Sequence, residues 1–293
     1  MTIDNYQLSI VNYQLSMESK RRMPLPVSNS RIKLSSGQIF WREVGSGPHI
    51  IFLHGSWTDS SDWLPVMDTL SHEYHCLAPD LLGFGESDQP ETHYSISLEV
   101  ECLAEYLKAL SLQEVYLVAR DLGAWVATSY ALKHPEAVRG LVLLAPYGVE
   151  IKAGHNASKG KQGSWLAQNA LLVRRLLLLL YPLAKLLGCH RTIDRLLLRL
   201  ERLLSSGVAR QILFDRRRAE IEAELLHDRF DWLKTQVLVL QGETDPPKVV
   251  ALCSAYAQLS PQVEVRIVPG NSEDISATTE SIALQIKEFV ISH

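Results

Sequence analysis

The 293-residue chain has only four cysteines, Cys76, Cys102, Cys189 and Cys253, and they lie far apart. None forms a CxxC pair or a zinc-spaced ladder, which fits reduced thiols in a cytoplasmic protein better than a disulfide framework. A glycine-rich phosphate loop, a metal-ligand cluster and a nucleic-acid signature are also missing, so no cofactor, no metal and no nucleic-acid partner is expected. The longest apolar stretch, Leu171 to Leu187, is interrupted by Arg174, Arg175, Pro182 and Lys185 and makes a poor membrane span. Near the start, Asn5-Tyr6-Gln7-Leu8-Ser9 recurs as Asn12-Tyr13-Gln14-Leu15-Ser16. That segment lacks the apolar core and small-residue cleavage site of a signal peptide, and residues 1–22 are expected to form a disordered leader outside the fold.

What remains has globular composition, 46% hydrophobic and 21% charged with a formal net charge of −4. From Arg31 onward the pattern is regular. Arg31–Ser35 and Ile39–Val44 read as a hairpin, followed by strands at His49–Leu53 and Tyr74–Ala78, a helix at Ile96–Leu110, and strands at Val115–Val118 and Gly140–Leu144. After a long interruption come strand Val237–Leu240, helix Val249–Leu259, strand Val263–Val268 and helix Ser276–Ile291. Strands alternating with helices predict a mostly parallel central sheet covered on both faces. The core is expected to comprise residues 23–146 and 231–293, and the interruption, residues 147–230, to be an inserted helical cap.

The organising stretch is Val115 to Trp125, VYLVARDLGAW. An apolar strand meets a sharp turn and then a helix, with small residues, Ala119 and Gly123, two positions either side of Asp121. This is the spacing of a nucleophile elbow, in which the tight turn exposes one reactive side chain above the sheet. The competing reading is an ordinary strand-to-helix turn whose aspartate caps the helix.

His54-Gly55 after the third strand, Asp80-Leu81-Leu82-Gly83-Phe84-Gly85-Glu86-Ser87-Asp88 after the fourth, the elbow after the fifth and Gly242-Glu243-Thr244-Asp245 after a late strand occur in the order of one superfamily. From Arg31 to the C-terminus the chain resembles the α/β-hydrolases, and its elbow is similar to their aspartate-nucleophile branch of epoxide hydrolases and haloalkane dehalogenases. The resemblance implies Asp121 as nucleophile, Asp245 as the triad acid, and an oxyanion site at the backbone N–H groups of Leu122 and Trp57, beside His54 and Gly55. It implies a small hydrophobic substrate and, by analogy with cap tyrosines that protonate an epoxide oxygen, roles for Tyr147 and Tyr181. A loop-tying role for His54 and packing roles for the two tyrosines are the competing readings. Leu122 stands where these enzymes carry the tryptophan that holds a departing halide, which counts against dehalogenation.

Two further departures bear on chemistry. Arg120 replaces the usual histidine before the nucleophile and is expected to favour the ionised form of Asp121. Glu273, in Pro269-Gly270-Asn271-Ser272-Glu273, occupies the position of the triad histidine. Loss of that histidine removes the base that activates water, at a precedented cost of about a million-fold in rate. Three readings follow: an Asp121 hydrolase whose base has moved to His227 or His155; a non-hydrolytic isomerase, cyclase or lyase using Asp121 and Glu273 as an acid/base pair; and a binding protein that kept the pocket. In the second, Glu273 approaches Asp121 and Asp245, and repulsion keeps at least one carboxyl protonated.

The insertion is the most basic part of the chain. Residues Leu172–Arg218 carry a net +8 and leave −12 for everything else. Ile193–Leu204 reads as an amphipathic helix, leucines on one face and Arg195, Arg199 and Arg202 on the other. One expectation is a lid that packs its leucines on the core; the other is peripheral contact with an anionic membrane.

Overall fold

The computed structural model describes residues 23–151, 169–186 and 190–293; the expected leader, His155 and Cys189 lie outside them. Eight strands form one sheet: β1 Ser28–Lys33, β2 Gln38–Val44, β3 His49–Leu53, β4 His75–Pro79, β5 Val115–Arg120, β6 Val138–Leu144, β7 Gln236–Gly242 and β8 Val263–Val268, in the order β1-β2-β4-β3-β5-β6-β7-β8. β1 with β2 and β2 with β4 are antiparallel, and the other neighbours are parallel. The helices are α1 Leu64–Leu70, α2 Ile96–Ala109, α3 Asp121–Lys133, α4 Ala170–Leu186, α5 His190–Ser205, α6 Gly207–Arg210, α7 Arg218–Glu224, α8 Pro247–Leu259 and α9 Ile275–Ser292. The architecture is the expected α/β-hydrolase fold.

The unbroken apolar runs of the central strands follow from burial on both faces. Ile50 and Phe52, Tyr116 and Val118, Val142 and Leu144, and Leu238 and Leu240 pack in one core with α1 and α9. Their alternates, Ile51 and Leu53, Leu117 and Ala119, Leu141 and Leu143, and Val237 and Val239, pack in the other with α2, α3 and α8. Helix α1 is absent from the sequence-based expectation because its apolar residues Val66, Met67 and Leu70 span too few turns to establish a period.

The chain leaves β3 for β4 on one side and returns to β5 on the other, so β3 pairs with both. Such a reversal opens a crevice beyond the carboxyl ends of the two strands. It sets His54-Gly55-Ser56-Trp57 beside Asp121. The loop after β4 is shaped by buried Asp80, whose carboxylate accepts from the N–H groups of Ser60 and Glu86, both at 2.7 Å. Gly85, at φ +51°, lets the loop pass over that carboxylate: a Cβ there would meet Asp80 Oδ2 at 2.0 Å.

The insertion between β6 and β7 divides in two. Val208, Ala209, Ile212, Leu226 and Phe230 join the α2/α3 core. Glu224 clamps this half down: its carboxylate accepts from the N–H groups of Ile96 and Ser97 at the start of α2 and pairs with Arg216 at 2.6 Å, and its carbonyl accepts from Trp125 Nε1 at 3.0 Å. Core packing extends to this half of the insertion. It fails for α4, where Leu171, Leu172, Leu176, Leu178, Leu179 and Leu180 are exposed, because that helix turns its other side, including buried Ala170 and half-buried Val173 and Leu177, inward.

One buried acid belongs to the fold. Glu99 of α2 accepts from Leu82 N–H at 3.1 Å and lines a cavity of about 20 Å³ with Cys102 and Tyr106. Burial pushes its carboxyl up to about 8 from 4.5. A folded-state pKa above the unfolded one means stability fully present below about 4.5 and lost as pH rises toward about 8. Glu99→Gln should therefore gain on the wild type across this window, by up to about 1.4 kcal/mol per pH unit. Urea midpoints at a series of pH values check this; a gap that does not change with pH contradicts it.

Candidate active site

Asp121 is the first residue of α3, directly beyond β5, with φ +52°. A left-handed conformation in a non-glycine residue is strained and persists only where its surroundings enforce it. The enforcement is the close approach of the start of α3 to the end of β3. A Cβ on Gly123 would lie 2.4 Å from the carbonyl oxygen of His54 and 2.7 Å from that of Leu53, so only glycine lets α3 start this close to β3. At Gly55 on the facing loop the contact is milder: a Cβ there would lie 3.2 Å from the Asp121 Cβ, tight but not a clash with backbone.

Ser56 holds the Asp121 carboxylate. Its hydroxyl donates to Oδ1 at 2.8 Å, and its backbone N–H approaches Oδ2 at 3.4 Å. The N–H facing the carboxylate is thus that of Ser56, while Leu122, fully buried, follows in the first turn of α3 and Trp57 lines the mouth half-buried. Burial raises the pKa of Asp121, against the Ser56 hydroxyl, the Arg120 charge, the Ser56 N–H and the Lys248 charge, which all lower it. Arg120 thus acts on Asp121 in the expected direction, but burial outweighs it. Arg120 Nη1 is committed to Asp62 Oδ2 at 2.6 Å, and desolvation outweighs what is left of its charge.

Tyr147 is tied to the elbow by its backbone, and its phenol feels the charge of the same carboxylate. Its N–H donates to the Asp121 carbonyl at 3.2 Å, its carbonyl accepts from Tyr256 at 2.5 Å, and the ammonium of Lys248 lies 5.0 Å from its ring centroid. The charge of Asp121, then burial, then the charge of Glu273 push its phenol well up, so it stays protonated. Tyr181 is elsewhere, on α4, bonded to Asp194 of α5.

His54 is fully buried, with Nδ1 on the Gly55 carbonyl at 2.8 Å and Nε2 accepting from Leu81 N–H at 3.0 Å. The second bond requires Nε2 to be unprotonated, so the proton sits on Nδ1. Burial lowers its pKa and keeps the ring neutral. Both nitrogens are thereby occupied in tying the β3 loop to the β4 loop. His227 pairs with Asp228 at the surface.

Asp245 follows β7 as expected, but its carboxylate is taken. Oδ1 accepts from Ser272 N–H, and Oδ2 accepts from Ser272 Oγ and Gly242 N–H, all at 2.7 Å. Glu273 is exposed, its N–H donating to Asn271 Oδ1 at 2.8 Å. Among the described residues no hydrogen bond joins Glu273 to Asp121 or Asp245, and none joins a histidine to either. The structure thus brings together Gly55, Ser56, Trp57, Arg120, Asp121, Leu122 and Tyr147, with Glu273 at the rim. Sequence reasoning passed over Lys248, Asp62 and Ser272. Lys248, three residues past Asp245 at the start of α8, is the one that position alone would have exposed.

A doubly covered, mostly parallel sheet carrying a strained carboxylate at a glycine-enforced elbow defines a hydrolase-type α/β protein. The chain belongs to the α/β hydrolase fold family, whose model matches residues 48–276. It is 35% identical to a haloalkane dehalogenase from Mesorhizobium japonicum over 133 residues, 44% of this chain and 43% of that protein. A 2-(acetamidomethylene)succinate hydrolase from the same organism is 28% identical over 258 residues, 85% of this chain and 90% of the relative. The chain spans less than half the length of the dehalogenase it matches. In fold it superposes on the crystal structure of an epoxide hydrolase from Vigna radiata with a TM-score of 0.66 at 20% identity, covering 91% of this chain and 98% of that one.

The commitment of Asp245 to Ser272 is testable by stability alone. Ser272→Ala removes a hydroxyl donor from a buried carboxylate and should cost about 1.5–3 kcal/mol, the range for hydrogen bonds to charged groups. Denaturant unfolding measures it; an unchanged midpoint would show that Ser272 does not hold the acid.

Proposed function

We propose that this chain is a carboxylate-centred enzyme that acts on a small hydrophobic, lipid-like electrophile through Asp121, with the first step of an epoxide hydrolase and without its triad histidine. The observation that carries the reading is the buried Asp121 carboxylate on its strained elbow, bonded by Ser56 and faced by a protonated Tyr147 phenol. A carboxylate oxygen in that position attacks an epoxide carbon, the carbon–oxygen bond of the ring breaks, and the ring oxygen takes the phenolic proton of Tyr147. An ester on Asp121 and a tyrosinate result. Lys248, beside the Tyr147 ring, offsets the new negative charge. The dehalogenase and epoxide hydrolase relatives support an electrophilic carbon as the point of attack.

Hydrolysis of that ester needs a base for water. With Asp245 occupied by Ser272 and His54 occupied on both nitrogens, the candidate on the family's loop is Glu273, an exposed carboxylate in place of an imidazole. The second step is then slow and the ester long-lived. A second reading is favoured by Tyr147, whose phenol feels both Asp121 and Glu273. In it the two carboxylates and the phenol pass protons without forming an ester, giving an isomerase, cyclase or lyase.

Intact-protein mass after incubation with a small aryl epoxide separates these readings. The expected result is a mass increase equal to one epoxide, mapped to the peptide containing Asp121 and absent from Asp121→Asn. The modification rate should rise with pH through a value above the ordinary aspartate range, because burial keeps Asp121 protonated longer. Equal labelling of Asp121→Asn, or consumption of epoxide with no adduct at any time, counts against the ester.

A further inference from the structure

Helix α4 exposes six leucines on one side: Leu171, Leu172, Leu176, Leu178, Leu179 and Leu180, between 40% and 78% accessible. Its other side is satisfied, with Ala170 buried, Val173 and Leu177 half-buried, and Tyr181 bonded to Asp194 of α5. Elsewhere among the described residues, exposed large hydrophobic residues such as Trp232, Ile267 and Ile291 are scattered. A continuous apolar helix face left in water marks a surface with a partner.

The charges on and around α4 decide which partner. The helix carries Arg174, Arg175 and Lys185 and no acidic residue between Ala170 and Leu186. Arg175 and Lys185 are exposed, Arg175 within the leucine side itself. A second copy of α4 laid against this face would set these cations against their own counterparts with no carboxylate on either helix to neutralise them. An anionic lipid surface matches both features at once. Leucines enter the boundary between headgroups and acyl chains, and long basic side chains reach back to the phosphates. The helix is 17 residues long and interrupted by charge, and among the described residues no helix is long and apolar enough to cross a membrane, so α4 lies in the surface. The +8 of Leu172–Arg218 against −12 for the rest of the chain also orients the molecule, since an anionic surface attracts the insertion and repels the body.

We infer that α4 is a monotopic docking element that seats the protein on anionic bilayers through its exposed leucines and its basic residues. The inference stands apart from the chemistry at Asp121. The test uses the full chain in cosedimentation with large vesicles of phosphatidylcholine alone or with phosphatidylglycerol. Binding should require phosphatidylglycerol and weaken as salt is raised. Leu172→Ser/Leu176→Ser/Leu179→Ser should abolish binding to the phosphatidylglycerol vesicles. Arg175→Gln/Lys185→Gln should weaken binding to the anionic vesicles roughly thirtyfold, about fivefold for each basic residue near the surface. Circular dichroism and thermal unfolding establish that both variants fold. Equal sedimentation with and without vesicles, or wild-type binding by the leucine variant, overturns the proposal. So does a concentration-dependent dimer that the leucine substitutions disperse while vesicle binding is absent, which would make the partner a second copy.

Discussion

The site depends on how closely the ends of β3 and β5 approach one another. The order of the sheet makes these strands neighbours, and Gly123 lacks the side-chain atom that would hold α3 away from the end of β3. Asp121 accepts a left-handed backbone because α3 must begin at that point. Ser56 reaches the Asp121 carboxylate because its loop leaves the adjacent strand. A Cβ at Gly123 would press on two carbonyl oxygens of β3, and the elbow, the serine contact and the position of Tyr147 would all shift together.

Around this junction the buried polar groups divide into those that fix loops and those that do not. His54 binds the β3 loop to the β4 loop, Asp80 shapes the β4 loop, Glu99 holds the same loop from α2, and Asp245 joins the loops after β7 and β8 through Ser272. Each uses bonds that a satisfied buried group needs, and that use makes His54 and Asp245 poor proton carriers. Asp121, Tyr147 and Lys248 are the groups left facing one another at the mouth. In free-energy terms the fold places its second carboxylate in a structural clasp and leaves the first desolvated, which raises the energy of its charged form.

How much of this is legible in the sequence follows from how local each feature is. The elbow is readable because Ala119, Asp121 and Gly123 lie within five residues and the apolar strand before them is continuous. The sheet is readable because strands buried on both faces have a simple composition. The Ser272–Asp245 clasp joins residues 27 apart, and nothing in either stretch shows that the serine rather than its neighbour Glu273 will reach the carboxylate. Arg120 illustrates the same limit: its charge is evident, but its bond to Asp62, 58 residues earlier, decides how much of that charge Asp121 feels. Helix α4 shows a different one. Periodicity identifies an apolar face without saying what covers it, and its leucines turn away from the core they were expected to meet.

The central claim is that Asp121 acts without a triad base behind it. The most direct test is a rapid-quench time course with an aryl epoxide, counting ester on Asp121 and diol in solution from the same samples. The prediction is that ester rises to one per chain well before diol accumulates and that diol then forms at the slow rate of ester loss. Diol accumulating through many turnovers, with no ester detectable at any time, would show that an efficient base serves the site and would contradict the account.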